Sequence, residues 1–329
     1  MTPNPRSLLA VTLLAASIAV AQAAPSGGDF PLKKLRPFTY VVDYEPFWSP
    51  DGRQIVLISN RHGGMKVHIM DAKGEGHGSE MRQLTTGEAE DDSPAWSPDG
   101  KKIAFVSVRA GVSQIFVMNA DGTGVRQVTS GAGENIHPTW SADSSQILFN
   151  TKHFVKANQA VGTGSATEPR VIGDASDDGM DLALIRPDSS GLRRVTNHSG
   201  PEDPSYTYAS FSPDGKAIVH RRIKGNVSQI FVMNADGSHD HNVSGTSTVD
   251  GWPAWSPDGK RIVFARRAQD AFQIFVMNRD GSNVRQLTDG IGGAKDGGFT
   301  NPRWSPDGAK ILCSRRLNGI TLVVFDAPT

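Results

Sequence analysis

A short phrase, Trp-Ser-Pro-Asp-Gly, recurs along the chain and divides it into segments of similar length. The phrase or a close variant of it starts at Trp48, Trp96, Trp140, Phe211, Trp255 and Trp304. These aromatic anchors are 48, 44, 71, 44 and 49 residues apart. A repeat of roughly 40–45 residues is typical of the blades of a β-propeller. The spacing therefore predicts an all-β fold, a six-bladed β-propeller.

Each repeat has the pattern of four short strands joined by tight turns. In the second repeat, residues 94–96, 103–107, 114–118 and 125–129 are the predicted strands, with apolar residues concentrated in the middle two. The turn after the first strand places Pro98 at a position that favours it and Gly100 where a positive φ is needed. The sequence therefore predicts four-stranded blades.

The two ends of the chain complement each other. Residues 32–36 match the fourth strand of the internal repeats, whereas only two strands follow the anchor strand of the last repeat. We therefore expect the N-terminal strand to complete the last blade and close the ring, which leaves no exposed sheet edge at the junction. The long third repeat is explained by an insertion at about 151–180 between its second and third strands.

The first residues indicate export. Arg6 precedes an apolar run at 8–20 and the small-residue sequence Ala21-Gln22-Ala23, a pattern typical of a secretory signal peptide. We predict a signal peptide at 1–23, a flexible leader at 24–30 and one propeller domain at 31–329. No later apolar run is long enough to span a membrane. The 34 basic and 34 acidic residues balance, which argues against nucleic acid as a partner.

The repeat resembles that of the bacterial TolB β-propeller family. The resemblance rests on Trp-Ser-Pro-Asp-Gly-Lys-(Lys/Arg)-Ile-(Ala/Val)-Phe followed by Gln-Ile-Phe-Val-Met-Asn-Ala-Asp-Gly, and it extends over about residues 31–326. It implies six blades, a periplasmic location and a protein partner, for which a Pal-like lipoprotein is one candidate. TolB itself carries an α/β domain ahead of its propeller, whereas here the first predicted strand directly follows the predicted signal peptide.

Polar residues five positions before the anchors are the first candidate site. The loops that precede each first strand emerge on the same face as those that join strands two and three, so these residues are expected to surround the mouth of a central channel. The candidates are Asp43, Asp91, Asn135 and Asp250. One interpretation is that they cap turns. The other is a site for Ca²⁺ or another hard cation, because such ions prefer carboxylate and amide oxygens; no cofactor is required by the fold.

Basic residues near the ends of the second strands are the second candidate site. Arginine pairs occur at 221–222, 266–267 and 315–316, and single basic positions occupy related places in the other repeats. The residues predicted to bind a ligand are Arg222, Arg267, Arg316, Arg61, Arg109 and His153. Guanidinium groups bind carboxylate or phosphate through paired hydrogen bonds, so an anionic ligand such as an acidic glycan fits this set. The alternative is a network of structural ion pairs with neighbouring aspartates.

Two functions follow from these features. The first is a non-catalytic, exported scaffold that binds a protein or another envelope component in the periplasm. The alternative is a metal-dependent lyase or hydrolase acting on anionic sugars, because some exported propellers that resemble TolB, the oligogalacturonide lyases, use His and Arg with a metal. His62, His137, His153 and His220 are expected near the channel face. The chain contains no His-Glu-x-x-His or Gly-x-Ser-x-Gly motif, which favours the scaffold.

Overall fold

The computed structural model describes residues 33–34, 42–73, 81–152, 154, 179–200, 203–245, 249–289, 298–316 and 319–328. In these ranges the regular elements are all β-strands, without an α-helix. Pro31–Thr329 forms one compact unit. The predicted signal peptide at 1–23 and leader at 24–30 lie outside the described residues, as does most of the predicted insertion.

The strands repeat in groups of four. The first strands are β2 (Asp43–Trp48), β6 (Asp91–Trp96), β10 (Asn135–Trp140), β14 (Ser205–Phe211), β18 (Asp250–Trp255) and β22 (Gly298–Trp304). The second strands are β3 (Gln54–Ser59), β7 (Lys102–Ser107), β11 (Ile147–Thr151), β15 (Ala217–Lys224), β19 (Arg261–Ala268) and β23 (Lys310–Arg316). The third strands are β4 (Lys66–Asp71), β8 (Gln114–Asn119), β12 (Asp181–Ile185), β16 (Val227–Asn234), β20 (Ala271–Asn278) and β24 (Ile320–Asp326). The short fourth strands are β5 (Arg82–Gln83), β9 (Arg126–Gln127), β13 (Arg193–Arg194), β17 (His241–Asn242) and β21 (Arg285–Gln286). One further short strand, β1 (Lys33–Lys34), precedes them all.

The strands pair antiparallel in chain order within each group. Four of the sheets in the described part of the chain have four strands, β2 to β5, β6 to β9, β10 to β13 and β14 to β17. The remaining strands form one eight-stranded sheet, in which β1 pairs with β24. Its two halves meet at one parallel pair between Phe272 and Gly298. A Cβ on Gly298 would lie 2.4 Å from the Phe272 carbonyl oxygen, so this junction requires glycine.

The first strands pack around a common axis. Each contacts the first strand of the next group, from β2 through β22, and β22 in turn contacts β2. The all-β prediction and the four-stranded groups are confirmed. The fourth strands are shorter than the predicted 125–129, since β9 contains only two residues. Short charged edge strands of this kind discourage pairing with other chains.

The aromatic anchors pack between consecutive sheets. Trp96 is 5% exposed and belongs to an apolar cluster with Val56 of β3 and Phe105 of β7. The indole of Trp140 reaches back to the preceding group, where its Nε1 donates to the Ala95 carbonyl oxygen at 3.1 Å. The anchors therefore join neighbouring sheets, which explains why a large aromatic residue recurs at this position.

The rest of the recurring phrase builds a turn. Ser49 Oγ donates to Asp51 Oδ1 at 2.6 Å, and the same contact joins Ser97 to Asp99. These hydrogen bonds lower the pKa of both aspartates. Gly52 supplies the positive φ of 69° that the turn needs. The phrase is thus a structural device, and it lies at the opposite end of the strands from Asp43 and its counterparts.

Candidate functional site: the channel lined by the first strands

Every first strand contains a β-bulge at the same place. In each first strand, the pairing with the second strand shifts register just before the anchor. In β2, which ends at the anchor Trp48, the shift lies between Tyr44 and Phe47. One residue in each bulge has a left-handed backbone with φ between 48° and 52°. These residues are Glu45, Ser93, His137, Tyr208, Trp252 and Asn301. None is glycine, so each costs about 1–3 kcal/mol of backbone strain, which proteins concentrate at functional sites.

The bulges surround a small cavity on the common axis. Its lining includes Glu45, His137, Tyr208 and Asn301 from the bulges together with Arg303. The cavity volume is about 30 Å³, enough for two or three water molecules at roughly 10–15 Å³ each. The channel at this depth therefore admits only a small group, such as the end of one side chain or a sugar substituent.

Aromatic rings form one wall of the channel. The rings of His137 and Tyr208 stack with centroids 4.0 Å apart, and Tyr208 continues to Trp252 at 5.5 Å. The Arg221 guanidinium lies 6.0 Å from the Tyr208 ring and 5.9 Å from that of Trp252. His137 and Tyr208 line the cavity itself, whereas Trp252 and Arg221 are buried and are not among its lining residues. The guanidinium and the rings therefore stabilise one another through cation–π contacts.

Glu45, which lines the cavity, interacts with a second acidic side chain, that of Asp92. Burial, reinforced by the negative charge of Asp92, raises the pKa of Glu45 well above its ordinary value. Burial also raises the pKa of Tyr44, whose hydroxyl donates to Asp92 at 3.0 Å. The pKa of Arg303 is lowered by burial. Among the described residues, Glu45 Oε2 and Arg303 Nε are buried and form no hydrogen bond, which is unusual for buried polar atoms.

The predicted cation ligands lie on the loop face, the end of the sheets at which the first strands begin. The Asp43 carboxylate is 2.5 Å from Arg61 Nη2, and that of Asp91 is 2.9 Å from Arg109. Asp250 binds Arg266 through both carboxylate oxygens, at 2.8 and 3.0 Å.

Asn135, the fourth predicted cation ligand, donates to Gln114 at 2.8 Å and accepts from Thr151 at 2.6 Å. Each of the four side chains thus bonds within its own sheet or to the neighbouring one. Within the part of the chain that the structure describes, no three acidic, His or Cys side chains converge as a metal site. The calcium site stays a prediction.

The predicted anion-binding arginines occupy different registers. Tyr206 and Asp250 occupy the same position in their repeats. Tyr206 pairs with Arg222, and Asp250 pairs with Arg266. Arg267 and Arg316 are therefore each one residue beyond the position equivalent to Arg222. The sequence shows the same offset, because the arginines in equivalent positions, Arg222, Arg266 and Arg315, each follow their anchor by eleven residues.

The surroundings of these arginines also differ. Arg222 lies over the Phe231 ring at 4.7 Å and is 3.5 Å from Asp240. Its neighbour Arg221 is the one that reaches the channel aromatics. Arg267 is exposed, and Arg316 is half-buried.

His153 lies outside the described residues. Of the predicted set, Arg61, Arg109 and Arg222 each form an ion pair with an aspartate, so the ion pairs weighed as the alternative do form at these three positions.

The ring of bulge residues was not predicted from the sequence. A signal for it exists, because proline stands two residues before the anchor in five of the six repeats, and proline within a strand marks a bulge or an edge. The acidic pair of Glu45 and Asp92 has no such signal, since it joins two different repeats.

Repeated four-stranded sheets arranged around a shared channel define the class of β-propeller-like repeat proteins. The model of the TolB β-propeller domain matches residues 34–180 and 188–327. The chain belongs to this family, which confirms the resemblance seen in its repeats.

Solved structures share the fold. A protein assigned as TolB from Agrobacterium tumefaciens has a TM-score of 0.62 and 23% identity, over 88% of this chain and 91% of that one. TolB from Acinetobacter baumannii has a TM-score of 0.58 and 18% identity, over 75% of this chain and 54% of that one. An oligogalacturonate lyase in complex with manganese has a TM-score of 0.55 and 14% identity, over 91% of this chain and 96% of that one. No curated protein matches the chain.

These likenesses describe the fold alone, because all three identities are below 25%. They include both a TolB protein and an enzyme, so they do not decide between the two predicted functions. In the described ranges, no helix is long and apolar enough to cross a membrane.

Proposed function

We propose that the protein is an exported, non-catalytic scaffold that binds a protein or another envelope component in the periplasm through its loop face and channel. The observation that carries this proposal is the ring of strained bulge residues around a cavity with unused hydrogen-bonding atoms. Strain of this kind is retained when it shapes a binding surface. A Pal-like lipoprotein is one candidate partner.

The proposed architecture is a ring of six blades. In it, each half of the eight-stranded sheet counts as one blade, and β1 supplies the fourth strand of the last. The pairing of Lys33 with Val324 supports this arrangement. The proposed boundaries are a signal peptide at 1–23, a leader at 24–30 and a propeller at 31–329 with an insertion at about 151–180. A closed ring presents the entire set of loop-face residues to one partner.

Charge reversal on the two faces tests the binding role. Arg267→Glu with Arg316→Glu changes the loop face. Arg53→Glu with Lys101→Glu is the matched control, because these side chains are 83% and 80% exposed at the opposite end of the strands. We expect pull-down from envelope extracts to recover a partner with the wild type and the control and to recover at least about tenfold less with the loop-face variant. Equal recovery with all three proteins contradicts the proposal.

The alternative is a lyase for anionic sugars. The observation that favours it is that His137 and Arg303 line one cavity, with Arg221 near the ring of Tyr208, which also lines it. A histidine is suited to acid–base chemistry, and arginines are suited to binding the carboxylates of acidic substrates. Incubation with polyuronates and Mn²⁺, followed by the ultraviolet absorbance of unsaturated products, tests it. Product formation that is lost in His137→Ala establishes the enzyme and replaces the scaffold as the proposed function.

A further inference from the structure

The third strand of the first repeat differs from its counterparts at one buried position. His68 in β4 lies opposite Leu57 in β3, where the second repeat pairs Phe116 with Phe105. In the second repeat the Arg109 guanidinium lies over both phenyl rings. His68 is completely buried. A buried imidazole in place of a phenyl ring needs a polar partner, so this departure from the repeat calls for an explanation.

His62 is the partner of His68. The Nδ1 atom of His62 lies 3.0 Å from Nε2 of His68, which is hydrogen-bond distance. The two rings meet edge to edge, with centroids 5.2 Å apart and an interplanar angle of 17°. His62 is exposed on the loop between β3 and β4 and is followed by Gly63 and Gly64. One imidazole is thus fixed in the protein interior, and the other is free to adjust.

The tautomer of His68 is set by the backbone. Its Nδ1 lies 3.0 Å from the Lys66 carbonyl oxygen. A carbonyl only accepts hydrogen bonds, so Nδ1 carries the proton and the lone pair on Nε2 faces His62. A backbone carbonyl that holds the second ring nitrogen is the usual support of a metal-binding histidine.

The distance between the two nitrogens suits a shared metal ion. Metal–nitrogen bonds of about 2.0–2.1 Å at a tetrahedral angle place two ligating nitrogens about 3.3 Å apart. The 3.0 Å separation of His62 Nδ1 and His68 Nε2 is close to this value. A small outward rotation of the exposed His62 supplies the difference.

The nearby cations are already engaged. Arg61 forms its ion pair with Asp43, and the Lys66 ammonium donates to the Ala89 carbonyl oxygen. The charge of Arg61 is therefore compensated by a carboxylate, whereas the Lys66 ammonium meets only a neutral carbonyl oxygen.

We propose that His62 Nδ1 and His68 Nε2 bind one divalent transition metal ion of the Zn²⁺ or Cu²⁺ type. Imidazole is a preferred ligand of these ions. Two protein ligands leave the remaining coordination positions to solvent or to a group from outside, as in open metal sites. This site is separate from the predicted calcium site, and it does not depend on the proposed binding function.

Metal titration of the full chain tests the proposal. We expect one Zn²⁺ per chain by calorimetry and one Cu²⁺ with electron paramagnetic resonance couplings from two imidazole nitrogens. His62→Ala is expected to weaken binding of either ion at least about tenfold. His68→Phe is expected to abolish it while the fold is retained, because it installs the phenyl ring found at this position in the second repeat.

An exposed histidine elsewhere provides the control. His241 lies in β17 of the fourth repeat, where its Nδ1 contacts the His239 carbonyl oxygen, and His241→Ala is expected to bind as the wild type does. Circular dichroism reports whether each variant is folded, and His62→Ala decides the question if His68→Phe is not. Wild-type binding no tighter than that of His62→Ala, or no binding of either ion, overturns the proposal.

Discussion

Arg266 binds Asp250 through two hydrogen bonds, from Nε at 2.8 Å and from Nη2 at 3.0 Å. The Asp250 carboxylate is completely buried, and Arg266 Nη2 also donates to the Ser244 carbonyl oxygen. Similar pairs join Asp91 to Arg109 and Asp43 to Arg61, with arginines that lie two residues beyond the end of the second strand. In three of the repeats, therefore, a buried carboxylate at the start of the first strand depends on an arginine near the end of the second.

Removing the arginine of this pair is expected to destabilise the protein strongly. Arg266→Ala leaves the Asp250 carboxylate buried without its cation, and we expect the free energy of unfolding to fall by about 3–5 kcal/mol. Urea denaturation followed by tryptophan fluorescence measures the change. The adjacent Arg267→Ala is the control, because that side chain is exposed and its loss is expected to cost no more than about 0.5 kcal/mol. Equal effects of the two substitutions contradict the structural role of the pair.

The left-handed backbone of the bulge residues predicts how substitutions there change the free energy of unfolding. Ser93 has a φ of 48° and is buried. Ser93→Gly relieves the strain but adds freedom to the unfolded chain, so we expect the free energy of unfolding to change by less than about 1 kcal/mol. Ser93→Val, which is β-branched, is expected to lower it by about 1–3 kcal/mol. The same urea experiment measures both variants, and a valine variant as stable as the glycine variant argues against strain at this site.

The raised pKa of Glu45 predicts how the free energy of unfolding depends on pH. Burial and the charge of Asp92 raise its pKa well above 4.5. Because the folded protein retains this proton where the unfolded chain has released it, the Glu45 contribution to the free energy of unfolding decreases as the pH rises above about 4.5. Glu45→Gln removes the titrating group while its amide can still donate to Asp92. We therefore expect a flatter dependence of stability on pH in this variant than in the wild type.

The measurement is a series of urea denaturations from acidic to neutral pH. Glu88→Gln is the control, because Glu88 is exposed and the substitution is expected to preserve the wild-type dependence. If Glu45→Gln follows the wild type across the series, the carboxyl group does not hold a proton in the folded state.

The N-terminal strand makes a prediction about ring closure. Lys33 and Lys34 pair with Val324 and Val323 of β24, so deletion of residues 30–36 exposes the edge of that strand. We expect a lower melting temperature and faster hydrogen exchange at the backbone amides of β24. Deletion of 24–29, which lies before β1, is the control and is expected to melt as the wild type does. An unchanged melting curve after deletion of 30–36 refutes closure by this strand.

The repeat spacing predicted most of the fold, because the aromatic anchors, the turns and the apolar third strands are each local patterns. It did not predict the bulge ring. The left-handed residue in each first strand results from a shift in pairing with the second strand, and that register depends on contacts between strands. The Pro residues before the anchors mark the place, but they do not show that Glu45 and Arg303 line the same cavity.

The candidate sites, like the fold, were predicted only as far as the repeat alone places their residues. The sequence by itself determined the family, the order of the strands and the residues at the ends of the first strands, since all of these follow from the repeat. Only the tertiary structure decided that Asp43, Asp91 and Asp250 each bind an arginine. It also decided that Arg221 contacts Tyr208 of the channel while Arg222 contacts Phe231, and that His62 meets His68. The physical reason is that successive strand residues alternate between opposite faces, so a shift of one residue changes which side chains meet.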